Sequence, residues 1–264
     1  TDPDASGSNV YEVQTVAFDG VDLLVMVDNS GSMAEEQAIL STGFFTLVNS
    51  IAYPLPGWPY EAVDSIRIAV ISSNMGISYG EDQDVPDDAV VPDSLLQTSA
   101  NCQGNGDNGQ FQDLYTDQIA LPSGVIACDE SAVQCPAGWT CAEIQNDTHI
   151  GTCQSAVTMV DCALEGSYAE TTPDVPNAAL TTQAACLAWQ GVSGCGFEQQ
   201  LQSAAVALKR DDQQSFMQET HLLAVLLVTD EEDCSMQDAP ALFATEECVD
   251  ATMLNIACNV DSDN

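Results

Sequence analysis

Basic residues are nearly missing from this chain of 264 residues. Lys and Arg together total three and Asp and Glu total 41, which gives a net charge of −38. Without a basic patch, the sequence argues against nucleic acid and anionic lipid as partners. Histidine is also scarce, and two residues are too few for most Cys/His zinc frameworks. No run of about 18 apolar residues occurs, so the sequence predicts no membrane span.

Cysteine is abundant by comparison. Eleven cysteines point to an oxidising compartment, so we expect a secreted, extracellular or cell-surface protein. Hydrophobic residues make up 45% of the chain, which indicates a folded core and not a disordered acidic tail. The acidic excess has two interpretations, adaptation to salty surroundings or several Ca²⁺ sites.

Apolar runs alternate with helical stripes along the chain. The runs at 21–28, 65–72 and 222–229 predict strands. The first is typical of a parallel strand covered on both faces, and the last is predicted to be buried. A helix is predicted over about 33–51, and further stripes cover 180–188 and 197–208. The first of these helices shows an apolar repeat of Leu40, Phe44, Leu47, Val48 and Ile51. This alternation predicts an α/β fold with a mostly parallel sheet flanked by helices.

The domain organisation follows from changes in composition. Residues 1–20 are predicted to form an N-terminal lead-in, and 21–75 with 177–264 the α/β domain. Residues 76–176 are rich in Asp, Pro, Gly and Asn, which indicates a long, loop-rich insertion. Within it, 128–153 is predicted to be a small module held by disulfides among Cys128, Cys135, Cys141 and Cys153. Four cysteines allow three pairings, and the sequence does not choose between them.

Oxygen-bearing side chains follow two of the predicted strands. Asp28, Ser30 and Ser32 form a D-x-S-x-S sequence after the first strand, and Asp230 follows the strand at 222–229. The carboxyl ends of parallel strands meet at one edge of a sheet, where open α/β sheets bind ligands. Carboxylate and hydroxyl oxygens suit Mg²⁺ or Ca²⁺. The alternative is that Asp28 and Ser30 only cap the next helix, which would leave Ser32 and Asp230 unexplained.

At these residues the chain resembles the von Willebrand factor A (VWA) family. The resemblance is carried by VDLLVMVDNSGSM at 21–33, RIAVISS at 67–73 and LLAVLLVTDEE at 222–232. It implies a Rossmann-like fold and a metal-ion-dependent adhesion site. Ser30 and Ser32 would then bind the metal directly, while the two aspartates would act directly or through water. One coordination position would remain for an acidic group of a partner.

The chain departs from the family in a middle loop that usually supplies a threonine ligand. Here the loop at 192–198 reads VSGCGFE, with Cys195 near the threonine position. Ser193 or Glu198 would substitute as an oxygen ligand, or water would; we take Glu198 as the candidate. In the fold that the resemblance implies, Cys195 and Cys234 would both lie beside the metal edge. We therefore predict a disulfide between them.

Two functions agree with these features. The first is a secreted binding module whose Mg²⁺ or Ca²⁺ engages an acidic group of a protein or glycan partner. The second is a structural subunit of an extracellular filament, pilus or surface layer, held by disulfides and calcium and contacting copies of itself or other surface subunits. We expect no enzymatic activity, since the sequence contains no G-x-S-x-G elbow, Gly-rich phosphate loop or HExxH helix.

Overall fold

The computed structural model describes most of the α/β unit and part of the insertion. The described residues are 18–52, 54–57, 63–76, 106–129, 135–145, 149–164, 166–171 and 177–235. Most of the predicted lead-in, the 77–105 part of the insertion and the 236–264 part of the α/β domain lie outside them. Within the described ranges, no helix is both long and apolar enough to cross a membrane.

Nine strands and three α-helices are described along the chain. In order they are β1 (Gly20–Val27), α1 (Glu36–Ala52), β2 (Ser65–Ser72), β3 (Gln118–Ala120), β4 (Ala127–Asp129), β5 (Thr140–Ala142), β6 (Ile150–Gln154), β7 (Met159–Asp161), β8 (Ala169–Glu170), α2 (Asn177–Leu187), α3 (Gln200–Ala207) and β9 (His221–Val228). Short 3₁₀ helices cover Gly31–Ala34 and Asp211–Phe216.

The main sheet is mixed, in the order β8-β2-β1-β9. Strand β1 lies between β2 and β9 and is parallel to both, while β8 pairs antiparallel with β2. Val27, the last residue of β1, is opposite Ser72 on one side and Val228 on the other. The three long strands therefore end together at one edge. The α/β class and the parallel pairing predicted from the sequence are confirmed.

Helices cover both faces of β1, which explains its unbroken apolar sequence. On one face, the side chains of Leu23, Val25 and Val27 belong to a buried cluster with residues of α1 and α2. On the other face, Leu24 and Met26 are buried with residues of α3 and with two aromatic rings. Each fully buried side chain of this size contributes about 1.5–3 kcal/mol to stability.

The cysteine-rich module is a three-stranded antiparallel sheet in the order β4-β6-β5. Disulfides join Cys128 to Cys141 and Cys135 to Cys153, which is one of the three pairings that the sequence left open. Three of these sulfur atoms lie within 4.8 Å of one another, but they are disulfide sulfurs and not free metal ligands. The module shares a buried cluster with Phe45 of α1.

A further disulfide ties the insertion to the α/β unit. Cys162 is bonded to Cys186 of α2, a pairing that the sequence analysis did not anticipate. The module and the helices are therefore joined by a covalent bond as well as by a common hydrophobic cluster.

Two parts of the predicted insertion contribute directly to the α/β unit. Strand β8 belongs to the main sheet, and the backbone N–H of Gln112 donates to the carbonyl oxygen of Val70 at 2.8 Å. Phe111 packs edge-on against Phe216 with their ring centroids 5.2 Å apart. Short segments within the predicted insertion therefore complete the sheet and its core.

Candidate metal centre

Asp28 lies at the centre of the edge where the long strands end. It directly follows β1 and is fully buried. One carboxylate oxygen, Oδ1, accepts from the backbone N–H of Ser30 at 2.8 Å and from the hydroxyl of Ser73 at 3.2 Å. The other, Oδ2, accepts from the hydroxyl of Thr229 at 2.7 Å. Three loops therefore fix the position of this carboxylate.

The other predicted ligands lie at the same edge. The hydroxyl oxygens of Ser30 and Ser32 are 2.9 Å apart, and the Ser32 hydroxyl donates to Oδ1 of Asp230 at 3.1 Å. Asp28 and Ser30 are buried, whereas Ser32 and Asp230 are exposed. The structure thus brings all four residues together in a site that is anchored inside and open to solvent on one side.

Parallel pairing explains how residues about 200 positions apart come together. Because β1 and β9 are adjacent and in register, Asp28 and Asp230 emerge from the same edge of the sheet. The backbone N–H of Asp28 donates to the carbonyl oxygen of Val228 at 2.9 Å, so the pairing continues into the site loops.

Glu198 lies close to these acidic groups. Its side chain is buried, with 2% exposed. Burial raises its pKa from 4.5 to about 8, with further contributions from a hydrogen bond to Glu231 and from the charges of Glu231 and Asp28. Its Oε1 atom has no hydrogen-bond partner among the described residues. The carboxyl group therefore lies close enough to Asp28 to be influenced by its charge.

The middle loop is held against the loop after β1. The backbone N–H of Gly194 donates to the carbonyl oxygen of Asn29 at 2.7 Å. A Cβ atom at Gly194 would lie 1.9 Å from Oδ1 of Asn29, so a side chain there would collide with the amide. Ser193, the other candidate protein ligand, is exposed. Glu198 is buried, and the charge of Asp28 contributes to its raised pKa.

Cys195 and Cys234 flank this region and are both disulfide-bonded. The backbone N–H of Cys234 donates to the carbonyl oxygen of Glu198 at 2.8 Å, which connects the loop after β9 to the middle loop. That the two cysteines are bonded to each other stays a prediction.

Two site residues were missed by the sequence analysis, Ser73 and Thr229. Each directly follows an apolar strand, and each donates a hydroxyl hydrogen bond to Asp28. The Thr229 hydroxyl also accepts from Nε2 of Gln200 at 3.0 Å. The available signal was their position at strand ends, the same signal that identified Asp28 and Asp230.

The residues present fit a hard divalent cation. Carboxylate and hydroxyl oxygens from three chain segments converge, and these are the ligands that Mg²⁺ and Ca²⁺ prefer. The unpartnered Oε1 of buried Glu198 is an oxygen that a cation would satisfy. Ser30, Ser32, Asp28 and Asp230 would hold the ion, with Glu198 as a further candidate. The ion would supply positive charge to these acidic groups. None of the described hydrogen bonds joins them to a Lys or Arg side chain.

Comparison with protein-family models, curated proteins and solved structures finds no match to this chain. Its function is therefore argued from the geometry of the edge.

The raised pKa of Glu198 predicts a pH-dependent stability in the absence of metal. The folded state holds a proton that the unfolded state releases above about pH 4.5, so stability should fall as the pH rises towards about 8. Replacing Glu198 by Gln removes this titration. In EDTA, we expect the free energy of unfolding in urea to fall less for Glu198→Gln than for wild type between pH 5 and pH 8.

Other carboxylates also contribute to the pH dependence, so a matched control is needed. Glu35 is exposed on the described surface, and Glu35→Gln is the same change of side chain. Its pH dependence should follow that of wild type. Equal slopes for Glu198→Gln and wild type would show that Glu198 does not titrate between these pH values.

Proposed function

We propose that this chain is a secreted, VWA-like binding module that engages an acidic group of its partner through a bound Mg²⁺ or Ca²⁺. The observation that carries the proposal is the convergence of Asp28, Ser30, Ser32 and Asp230 at one edge of the sheet. The Rossmann-like architecture of the proposal is supported by the parallel β2-β1-β9 core with helices on both faces.

Charge explains why a metal is needed for this function. With a net charge of −38, the chain repels an acidic partner unless positive charge is supplied at the contact. A divalent ion held by Ser32 and Asp230 would face solvent, since both side chains are exposed. An acidic group of a protein or glycan could then complete the coordination of the ion. The proposed role is binding and not catalysis.

An extracellular location is supported by the disulfides. Eight of the described cysteines are disulfide-bonded, and such bonds persist in oxidising surroundings. Calcium is also plentiful outside cells, where weak sites with dissociation constants of about 10⁻⁴–10⁻³ M are occupied.

Metal binding should be visible as thermal stabilisation. At a free Ca²⁺ concentration of about 100 times the dissociation constant, binding adds about 2.7 kcal/mol to the stability. For a chain of this size, we expect the unfolding temperature to rise by about 5–10 °C relative to EDTA. Differential scanning calorimetry with Ca²⁺, Mg²⁺ and EDTA measures this shift. The Asp230→Asn variant should lose most of it.

Asp64→Asn is the matched control for non-specific binding of calcium to an acidic surface. Asp64 is exposed and precedes β2, so it lies at the opposite edge of the sheet and has the same formal charge as Asp230. Its calcium-induced shift should equal that of wild type. If both variants reduce the shift equally, the stabilisation comes from general charge screening and the proposed site is wrong.

Partner binding is tested by retention on a surface coated with polyglutamate. We expect the wild-type protein to be retained with Ca²⁺ or Mg²⁺ and released by EDTA, and Asp230→Asn to pass through in both conditions. The Asp64→Asn control should behave as wild type. Wild-type protein that is not retained in either condition would contradict recognition of acidic groups.

A second candidate function, a subunit of an extracellular assembly, is favoured by the outer strand. Within the described residues, β9 pairs only with β1, and its side chains Leu222, Leu223, Val225 and Leu227 are 38–45% exposed. An apolar edge strand is suited to pairing with another chain. Sizing of concentrated protein with Ca²⁺ and with EDTA distinguishes the two functions. Monomers in both conditions would count against assembly.

A further inference from the structure

A polar groove opens beside the candidate metal centre. The cavity has a volume of about 500 Å³. Its lining includes Asn29, which directly follows Asp28, and Ser193 and Gly194 of the middle loop. Residues 110–115 also line it. A molecule in this groove would therefore lie next to the loops that form the metal centre.

Amide side chains dominate the lining of the groove. An amide carries both N–H donors and a carbonyl acceptor, which is the combination that sugar hydroxyls require. Some of these groups are already used within the protein, since Nε2 of Gln190 donates to the carbonyl oxygen of Leu187 and Nε2 of Gln112 to that of Gln110. The amides are Asn29, Asn74, Gln110, Gln112 and Gln190. Asn29 is 9% exposed, and its Oδ1 has no hydrogen-bond partner among the described residues. This oxygen is enclosed against Gly194, so Gln110 and Gln112, which are exposed and half-buried, are the amides within reach of a ligand.

Tyr115 supplies an aromatic surface to the same groove. Its side chain is 56% exposed although it is held in place by the backbone of Gly191. A Cβ atom at Gly191 would lie 2.4 Å from Cζ of the tyrosine ring, so only glycine allows this contact. The ring is thus positioned in advance and remains accessible. The electron-rich face of an aromatic ring attracts the slightly positive C–H groups of a sugar ring.

The charge of the groove argues against anionic occupants. No described lining residue is a Lys, Arg or His, and two are carboxylates, Asp107 and Asp113. Asp107 already accepts a hydrogen bond from the hydroxyl of Ser72. A phosphate or nucleotide would find no positive partner here. A neutral molecule with several hydroxyl groups would find acceptors, donors and an aromatic face.

We propose that the groove binds a neutral hexose residue of a glycan. The sugar ring lies against Tyr115, and its hydroxyls contact the amides of Gln110 and Gln112. This inference extends the proposed function, because it makes the partner a glycan and not a protein. An acidic sugar further along the same glycan would then reach the metal ion.

The test uses calorimetry with defined oligosaccharides. The neutral probes are galactotetraose, cellotetraose and mannotetraose, and the acidic probe is tetragalacturonate, each with Ca²⁺ and with EDTA. We expect wild type to bind at least one neutral probe in both conditions. Tyr115→Ala should weaken this binding at least about tenfold, as loss of a central tyrosine commonly does. Tyr115→Phe keeps the ring and should bind within about threefold of wild type.

Phe18→Ala is the matched control, since Phe18 is 51% exposed and precedes β1 at the opposite edge of the sheet. It should bind the sugars as wild type does. If wild type binds none of the neutral probes at about 5 mM, the sugar groove is wrong. Equal binding by Tyr115→Ala and wild type would also overturn it.

The acidic probe separates this inference from the proposed function. If both hold, tetragalacturonate binds more tightly with Ca²⁺ than with EDTA, and Asp230→Asn loses only this calcium-dependent gain. Neutral binding without any calcium-dependent gain would support the groove and contradict metal bridging to the glycan. Calcium-dependent retention on polyglutamate without binding of any sugar would support the metal centre and overturn the glycan proposal.

Discussion

Replacing Asp28 by alanine is expected to lower the calcium affinity at least about 100-fold. Loss of a residue that merely orients a ligand commonly costs about 10–100-fold, and in the proposed site Asp28 would both bind the ion and organise its surroundings. Its carboxylate accepts hydrogen bonds from Ser30, Ser73 and Thr229, so its removal also releases the loops that carry the other ligands. Isothermal titration calorimetry with Ca²⁺ measures the change.

The Asp28 variant has a stability cost of its own, because it leaves buried donors without an acceptor. Ser32→Ala removes a ligand from the exposed side of the site and should also weaken calcium binding while leaving the fold intact. Asp64→Ala is the control from the opposite edge and should bind calcium as wild type does. A folded Asp28→Ala protein with wild-type affinity would contradict the assignment.

Truncation of Phe45 should destabilise the whole chain by about 3–5 kcal/mol, the usual cost of Phe→Ala in a core. Phe45 is fully buried on α1 and belongs to the cluster that includes Trp139 and the disulfide sulfurs of the module. Its removal leaves a cavity between the helix and the module. Urea unfolding gives the loss of stability, and hydrogen exchange of 150–154 reports the local effect on β6.

Leu47→Ala is the control on the same helix. Leu47 is 39% exposed, so its truncation should cost less than about 1 kcal/mol and leave exchange in β6 unchanged. If Phe45→Ala destabilises the chain without faster exchange in β6, the module does not depend on α1. That result would contradict the shared cluster.

The sequence predicted the strands and the four central site residues because both depend on simple patterns. Long apolar runs predict strands, and β1, β2 and β9 are found within one residue of their predicted bounds. The predicted burial of β9 is wrong, because it pairs only with β1 among the described residues and its Leu222, Leu223, Val225 and Leu227 side chains are 38–45% exposed. Parallel strands then place the residues that follow them at one edge. The position of Asp28 near Asp230 follows from this rule without knowledge of the intervening 200 residues.

Residues that support a candidate ligand by hydrogen bonds were harder to predict from the sequence. Ser73 and Thr229 support Asp28 by hydrogen bonds, and nothing in a single sequence separates such hydroxyls from those of ordinary loops. The buried residues of helix α1 were also predicted only in part. The apolar repeat included Leu47, which is exposed, and omitted Phe45, because the repeat describes one face and the module covers another.

Contacts between distant and irregular segments were also missed. Strand β8 has two residues, too few for a recognisable alternation, and its place in the sheet is set by pairing with β2. The bond between Cys162 and Cys186 spans 24 positions, and eleven cysteines allow far too many pairings for the sequence to choose. These features depend on tertiary contacts and not on local pattern.

The central claim is that one divalent ion is held by oxygens from the loops after β1 and β9. Anomalous diffraction from crystals grown with Mn²⁺, a stand-in for Mg²⁺ and Ca²⁺, tests it most directly. The account predicts a strong peak within bonding distance of the Ser30 and Ser32 hydroxyl oxygens, beside Asp28 and Asp230. Peaks found only at carboxylates elsewhere on the surface, with this edge free of metal, would contradict it.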